Sequence, residues 1–223
     1  MPARSYGQHC ALAKSLDLVG DRWSLLIVRE LLDGPQRYGD LLAGLVPIAT
    51  DMLAGRLREL ENHGLVRRRD LPKPASARVY ELTDDGLALE DVINAFARWG
   101  RHLIETREPG DVVRPEWLAR AVRAYVRPDR PGPPLVVRLA TPEGAATLRI
   151  GPHSVDTLGD DAAADVTLTG KVEALAAATD PRRVPDLVAL GQLHIDGEPR
   201  AVRRLAKVFD TPARERPTTG PPA

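Results

Sequence analysis

Arginine is the side chain whose number and spacing point to chemistry here. Between Arg56 and Arg78 there are seven Lys/Arg (56, 58, 67, 68, 69, 73, 78) against three Asp/Glu (59, 61, 70), in a chain that balances 31 basic residues with 31 acidic ones. A guanidinium presents a planar fork of donors that fits phosphate oxygens and the acceptor edge of guanine. A local basic surface on a neutral protein suits phosphate contact without general stickiness. No other chemistry is indicated. The five histidines (9, 63, 102, 153, 194) are too dispersed for a metal site, and one cysteine allows neither an internal disulfide nor a multi-cysteine metal centre. There is no Gly-rich phosphate loop and no spacing that suggests a Ser/His/Asp grouping, so neither an enzyme nor a cofactor is expected.

The elements that must position these arginines lie between Gly34 and Leu82. Tyr38, Leu41 and Leu42 give a short apolar stripe that Gly44 and Pro47 interrupt. Thr50 is the expected N-cap of the next helix. That helix carries Leu53, Leu57 and Leu60 on one side and Asp51, Gly55, Arg58, Glu59 and Asn62 on the other. His63-Gly64 ends it. Strands at 65–69 and 78–82 flank the tip 72–76. Helix, turn, helix and hairpin make a unit that can place a helix in the DNA major groove with a β-hairpin beside it.

Upstream, 10–19 reads as an amphipathic helix and 23–32 as a central buried one. Downstream, a single helix from Thr83 or Asp84 to about Thr106 is expected to bury Leu89, Val92, Ile93, Phe96, Trp99, Gly100 and Leu103. Its length exceeds what a small core needs, so a subunit contact is expected, with packing on a second domain as the alternative. A dimer suits two half-sites one DNA turn apart.

Residues Cys10 to Ile104 resemble the HxlR family, winged-helix regulators related to the MarR group. The segments that carry the resemblance are Cys10, Leu16 to Ile27, Arg29 to Pro35, Arg37-Tyr38, Leu53 to Leu65, Arg78 to Thr83 and Trp99-Gly100. The resemblance implies a dimeric transcription factor, often a repressor and sometimes an activator. It also implies that a cysteine at position 10 can sense oxidants or electrophiles; the alternative is a small buried hydrophobe. The chain departs from the pattern at Ala11 (commonly Pro), Ala49 (commonly Ser) and Gly55 (commonly a longer polar residue).

Arg58 is expected at base edges or phosphate; Thr50, Asp51, Ala54 and Gly55 near the DNA at the helix entry; Arg56 at phosphate. Lys73, Ser76 and Arg78 are expected to give wing contacts. Arg37 is expected at phosphate, or equally in a salt bridge with Asp33 or Asp40. At least one of Arg67, Arg68 and Arg69 must point away, because strand side chains alternate.

Beyond the boundary at Glu108 to Asp111, a helix begins at Pro115, and strands at 135–140, 145–150, 153–158 and 166–169 follow. Helices at 171–179 and 185–190, a strand at 192–196 and a helix at 198–209 complete an α+β pattern. This half resembles the type-two sterol-carrier-protein fold through Asp165 to Gly170 and Leu190 to Pro199, which implies an apolar small-molecule ligand.

The expected organisation is therefore α+β throughout: a winged helix-turn-helix DNA-binding and dimerisation domain (1–108), a sterol-carrier-protein-like effector domain (115–210) and a disordered tail (211–223). The expected partners are double-stranded DNA, a second copy of the chain and an apolar effector. No run of about 18 apolar residues and no leader pattern is present, so no membrane association and a cytoplasmic location are expected. The alternative function is a small-molecule carrier whose winged helix serves only dimerisation.

Overall fold

Helical leucine stripes and alternating strands fold as their periods require. A computed structural model describes residues 5–72, 77–104, 107–130, 132–159 and 161–209. It divides into two units between Ile93 and Asn94, each with its own core. The tip residues Lys73 and Ser76 and the tail 211–223 lie outside the described residues.

The first unit contains α1 (Ala11–Val19), α2 (Ser24–Leu31), β1 (Gln36–Arg37), α3 (Tyr38–Gly44), α4 (Thr50–Asn62), β2 (Val66–Asp70), β3 (Arg78–Leu82) and α5 (Asp84–Leu87), and the start of α6 (Glu90–Gly100). Its core gathers Ile27, Val28 and Leu31 of α2, Leu41 of α3, Leu53, Leu57 and Leu60 of α4, and Val66 and Leu82 of the sheet. The sheet has the antiparallel order β1-β3-β2. Two residues add the edge strand β1 to the expected hairpin, a strand too short to leave a periodic signal.

The turn after α4 is fixed by backbone geometry. Gly64 takes a left-handed φ of 71°, and the Leu65 N–H donates to the Leu60 carbonyl at 2.9 Å, a six-to-one bond that closes the helix end. Thr83 then ties the hairpin's exit to the same turn. Its N–H donates to the Leu65 carbonyl at 3.1 Å. Its hydroxyl donates to the Gly64 carbonyl at 2.6 Å and accepts the Gly86 N–H at 3.2 Å, which caps α5.

Two expectations change. Ala49, not Thr50, is the N-cap of α4, and it offers no side-chain oxygen. Thr50 is the first helical residue, and its carbonyl accepts the Tyr38 hydroxyl at 2.7 Å. The expected long helix 84–106 is three pieces: α5, α6 and a 3₁₀ turn at Arg101–Ile104. Only Leu89 and Ile93 pack on the first core, while Val92, Phe96, Trp99 and Leu103 are exposed.

The second unit carries α7 (Pro115–Tyr125), β4 (Leu135–Thr141), β5 (Gly144–Ile150), β6 (Val155–Leu158), β7 (Val166–Gly170), α8 (Val172–Ala178), α9 (Val184–Ala189), β8 (Leu193–Gly197) and α10 (Pro199–Leu205). The strand order is β6-β5-β4-β7-β8, with β4 and β7 parallel and the other pairs antiparallel. Leu135, Val137 and Leu139 alternate inward along β4 and pack with Leu118 and Val122 of α7, Leu148, Leu168 and Leu175. Val126 bridges Phe209, and Arg127 N–H donates to the Val208 carbonyl at 2.9 Å, which ties the residues after α7 to those after α10.

A Cβ built on Gly86 would stand 2.1 Å from the Leu65 carbonyl oxygen, so backbone must shift to accept it. Gly86→Ala is expected to destabilise the first unit by about 1–3 kcal/mol, the range for overpacking. Urea unfolding measures this, and an unchanged midpoint would contradict the close approach.

Candidate functional site

Leu53, Leu57 and Leu60 are at most 1% exposed, and this fixes which side of α4 faces outward. At about 100° per residue that side carries Asp51, Gly55, Arg58 and Asn62, at i, i+4, i+7 and i+11. Asp51, Arg58 and Asn62 are exposed, and a Cβ at Gly55 would meet nothing within 4 Å. Thr50 is exposed beside Asp51 at the helix entry, and Ala54 is half-buried. Met52, not among the expected site residues, is 42% exposed at the same entry. An apolar side chain there is suited to a thymine methyl group; its place in the first turn of the helix, on the flank of the outward side, was the available signal.

The charges sort themselves by pairing. Arg56, expected at phosphate, is only 18% exposed and engages both Asp21 and Glu59. Arg68 pairs with Glu61 at 2.5 Å and lies 5.8 Å from the Tyr80 ring centre. Arg78 pairs with Asp70 at 2.9 Å across the hairpin. Arg67 and Arg69 share Glu81, at 2.8 and 2.7 Å. Of the described cations between positions 56 and 78, Arg58 alone has no carboxylate partner among the described residues.

Strand register explains the division. Arg67 faces Glu81, and both Arg37 of β1 and Arg69 of β2 face Val79. These residues share one side of the sheet, while Val66, Tyr80 and Leu82 pack on the core from the other. Arg68 and Arg78 are therefore the wing arginines on the other side, that of Tyr80 and Leu82. Arg37 is exposed; its backbone N–H donates to the Asp40 carboxylate at 3.3 Å. Two arginines, Arg67 and Arg69, share the Glu81 carboxylate, which leaves that pair net positive.

Cys10 is exposed at the N-cap of α1, so it is not a buried hydrophobe. Leu12 and Leu16 of the same helix are also exposed. Among the described residues no cluster of His, Cys, Asp and Glu could hold a metal ion, and no helix is long and apolar enough to cross a membrane.

The second unit contains a cavity of about 370 Å³. Trp117, Leu118, Ala121, Val122 and Tyr125 of α7 line it with Leu139, Val172, Leu175, Ala176 and Thr179. Leu103, Ile104, Arg107 and the residues Asp111 to Arg114 complete the wall.

A buried stripe that turns a helix outward beside an arginine-edged hairpin defines the first unit as a winged helix-turn-helix domain. The model for the HxlR-like helix-turn-helix matches residues 18–108. The HTH-type transcriptional regulator YodB of Bacillus subtilis is 36% identical over 102 residues, which is 46% of this chain and 88% of that protein. YvaP, also of Bacillus subtilis and also an HTH-type transcriptional regulator, is 36% identical over 92 residues, 41% of this chain and 85% of that protein. The chain belongs to the HxlR-like helix-turn-helix family. Among solved structures, reduced YodB from B. subtilis covers 47% of this chain and all of its own, at 36% identity and a TM-score of 0.38. The redox regulator HypR in its oxidised form covers 44% of this chain and 99% of its own, at 28% identity and a TM-score of 0.40.

Hydrogen bonds from Arg69 and then Arg67 hold the Glu81 carboxyl below its ordinary value of 4.5. A depressed carboxyl pKa stabilises the fold above the ordinary value, and that contribution is lost as pH falls through the lowered one. In urea unfolding, wild type is expected to lose more stability than Glu81→Gln as pH falls below about 5, with parallel behaviour from about pH 6 to 8. Parallel curves throughout would mean that the fold does not favour the ionised carboxylate.

Proposed function

We propose that the chain is a sequence-specific DNA-binding transcriptional regulator that acts as a homodimer and is controlled by an apolar compound in its second unit. The observation that carries the reading is Arg58: an exposed guanidinium on the outward side of α4, without a carboxylate partner among the described residues. An arginine so placed is free to take a guanine edge or a phosphate. Arg37, Arg67 and Arg69 supply positioning contacts to the backbone, with Lys73, Ser76 and Arg78 at the wing. Thr50, Asp51, Ala54 and Gly55 set how closely the helix entry approaches. Arg56 serves the fold first, bracing α4 through Asp21.

Its relatives are HTH-type transcriptional regulators, and repression is the commoner mode that the family resemblance implies. Dimerisation is supported by the exposed Val92, Phe96, Trp99 and Leu103, and by Leu12 and Leu16 as the matching stripe on a partner's first helix. The exposed thiol of Cys10 is accessible to an oxidant. A sterol-carrier-like role of the second unit is supported by its α+β order and its cavity. The same cavity favours a second reading, a carrier whose winged helix serves only dimerisation.

Gel shifts on the chain's own upstream DNA separate the two. Arg58→Ala is expected to weaken specific binding roughly tenfold or more, because one good arginine–guanine contact is worth about 1–3 kcal/mol. Binding that falls with salt is expected as well. Equal affinity of variant and wild type would remove Arg58 from the interface, and absence of any salt-sensitive binding would leave the carrier reading.

A further inference from the structure

The wall of the cavity in the second unit restricts the chemistry of what it can hold. Its size, about 370 Å³, suits a compound of roughly 10–20 non-hydrogen atoms, at the small end of ligand sites. Trp117 and Tyr125 provide aromatic surface, and Ala121 and Ala176 leave room between them.

Charge in the wall is balanced. Arg107 and Arg114 stand against Asp111 and Glu173. Arg107 is held by Glu143 at 2.8 Å and donates to the Asp111 carbonyl at 3.0 Å. The Asp111 carboxylate accepts the Glu108 N–H at 2.9 Å. An anion entering this space would leave its hydration and find both arginines already engaged, Arg107 by Glu143 and Arg114 by Glu116 at 3.9 Å, and a cation would meet the same two arginines beside the carboxylates, so either charge is costly. Hydrogen-bonding capacity is also committed. The Thr179 hydroxyl donates to the Ala176 carbonyl at 2.5 Å and accepts from Arg101, and the Tyr125 hydroxyl donates to the Ala97 carbonyl at 3.3 Å.

We infer that the cavity takes a neutral, largely apolar compound that asks for few hydrogen bonds, and that this compound covers Leu103. Leu103 is 61% exposed; it lines the cavity and sits in the turn that continues α6 directly, past Trp99. The occupant therefore reaches the end of the apolar stripe assigned to dimerisation. The inference deepens the effector reading and rests on it.

The neutral fluorophore N-phenyl-1-naphthylamine, titrated into the full chain, tests it, with the anionic anilinonaphthalene sulfonate as comparison. The expected result is saturable fluorescence at one site per chain and at least tenfold weaker binding of the sulfonate. Ala121→Trp fills the space and is expected to weaken the neutral probe at least tenfold at unchanged melting temperature; Ala176→Phe replaces it if that variant fails to fold. Leu103→Ala is expected to weaken the probe several-fold. No saturable signal, insensitivity to the filling variants, or equal binding of the sulfonate would overturn the ligand class. Insensitivity to Leu103→Ala would overturn the link to the stripe. Gel shifts on the same preparations distinguish the failures: DNA binding without probe binding removes the effector site alone, and probe binding without DNA binding removes the regulator reading alone.

Discussion

Burial of three leucines governs the first unit. Leu53, Leu57 and Leu60 fill one side of α4 so completely that the helix has a single way to lie on the core. Rotating it by one residue would expose those side chains and bury Arg58, at a cost of several kcal/mol for the apolar groups alone. The outward set Asp51, Gly55, Arg58 and Asn62 is thus determined by what the inward set must do. The Tyr38 hydroxyl on the Thr50 carbonyl at the start of α4 and the Gly64–Thr83–Gly86 bonds at its end hold the helix in place along its length.

Electrostatics then divides the arginines into two kinds. Arg56 and Arg68 are braces: each reaches a carboxylate on α4, and Arg56, at 18% exposure, also reaches Asp21. Arg67 and Arg69 are different, because two cations on one carboxylate leave one positive charge uncancelled. The arginines are exposed although Glu81 is largely buried, and pairs with an exposed partner contribute little to stability, commonly about 1 kcal/mol or less. Their larger effect is on the field near the sheet, where a single glutamate sets how much of the arginine charge is felt at a distance.

Much of this was legible in the chain. The α4 stripe, the Gly64 stop, a helix start at Thr83 or Asp84, the two hairpin strands and most elements of the second unit follow from period and punctuation. What escaped was tertiary. Thr50 looked like a cap because of its hydroxyl, but Ala49 has the extended backbone. Arg56 looked available because Asp21 lies 35 residues away in sequence. The helix after the hairpin looked continuous because its apolar spacing runs on past Gly100, while the backbone tightens into a 3₁₀ turn at Arg101. The count of basic residues gave the region's sign but not its distribution, since pairing depends on register: Glu81, outside the basic run as counted, takes up two of its members.

Gly55 has a consequence for how binding preference can change over time. Its neighbours leave open space where a side chain would go, and most other residues are better helix formers, by up to about 1 kcal/mol. A replacement there would be accepted by the fold without repacking and would add an atom group at the centre of the outward side. Most interior positions of a small domain trade stability against novelty; this one offers both in the same direction. On the proposed reading of α4 as the DNA-facing helix, a single codon change there alters operator preference while the rest of the domain stays as it is.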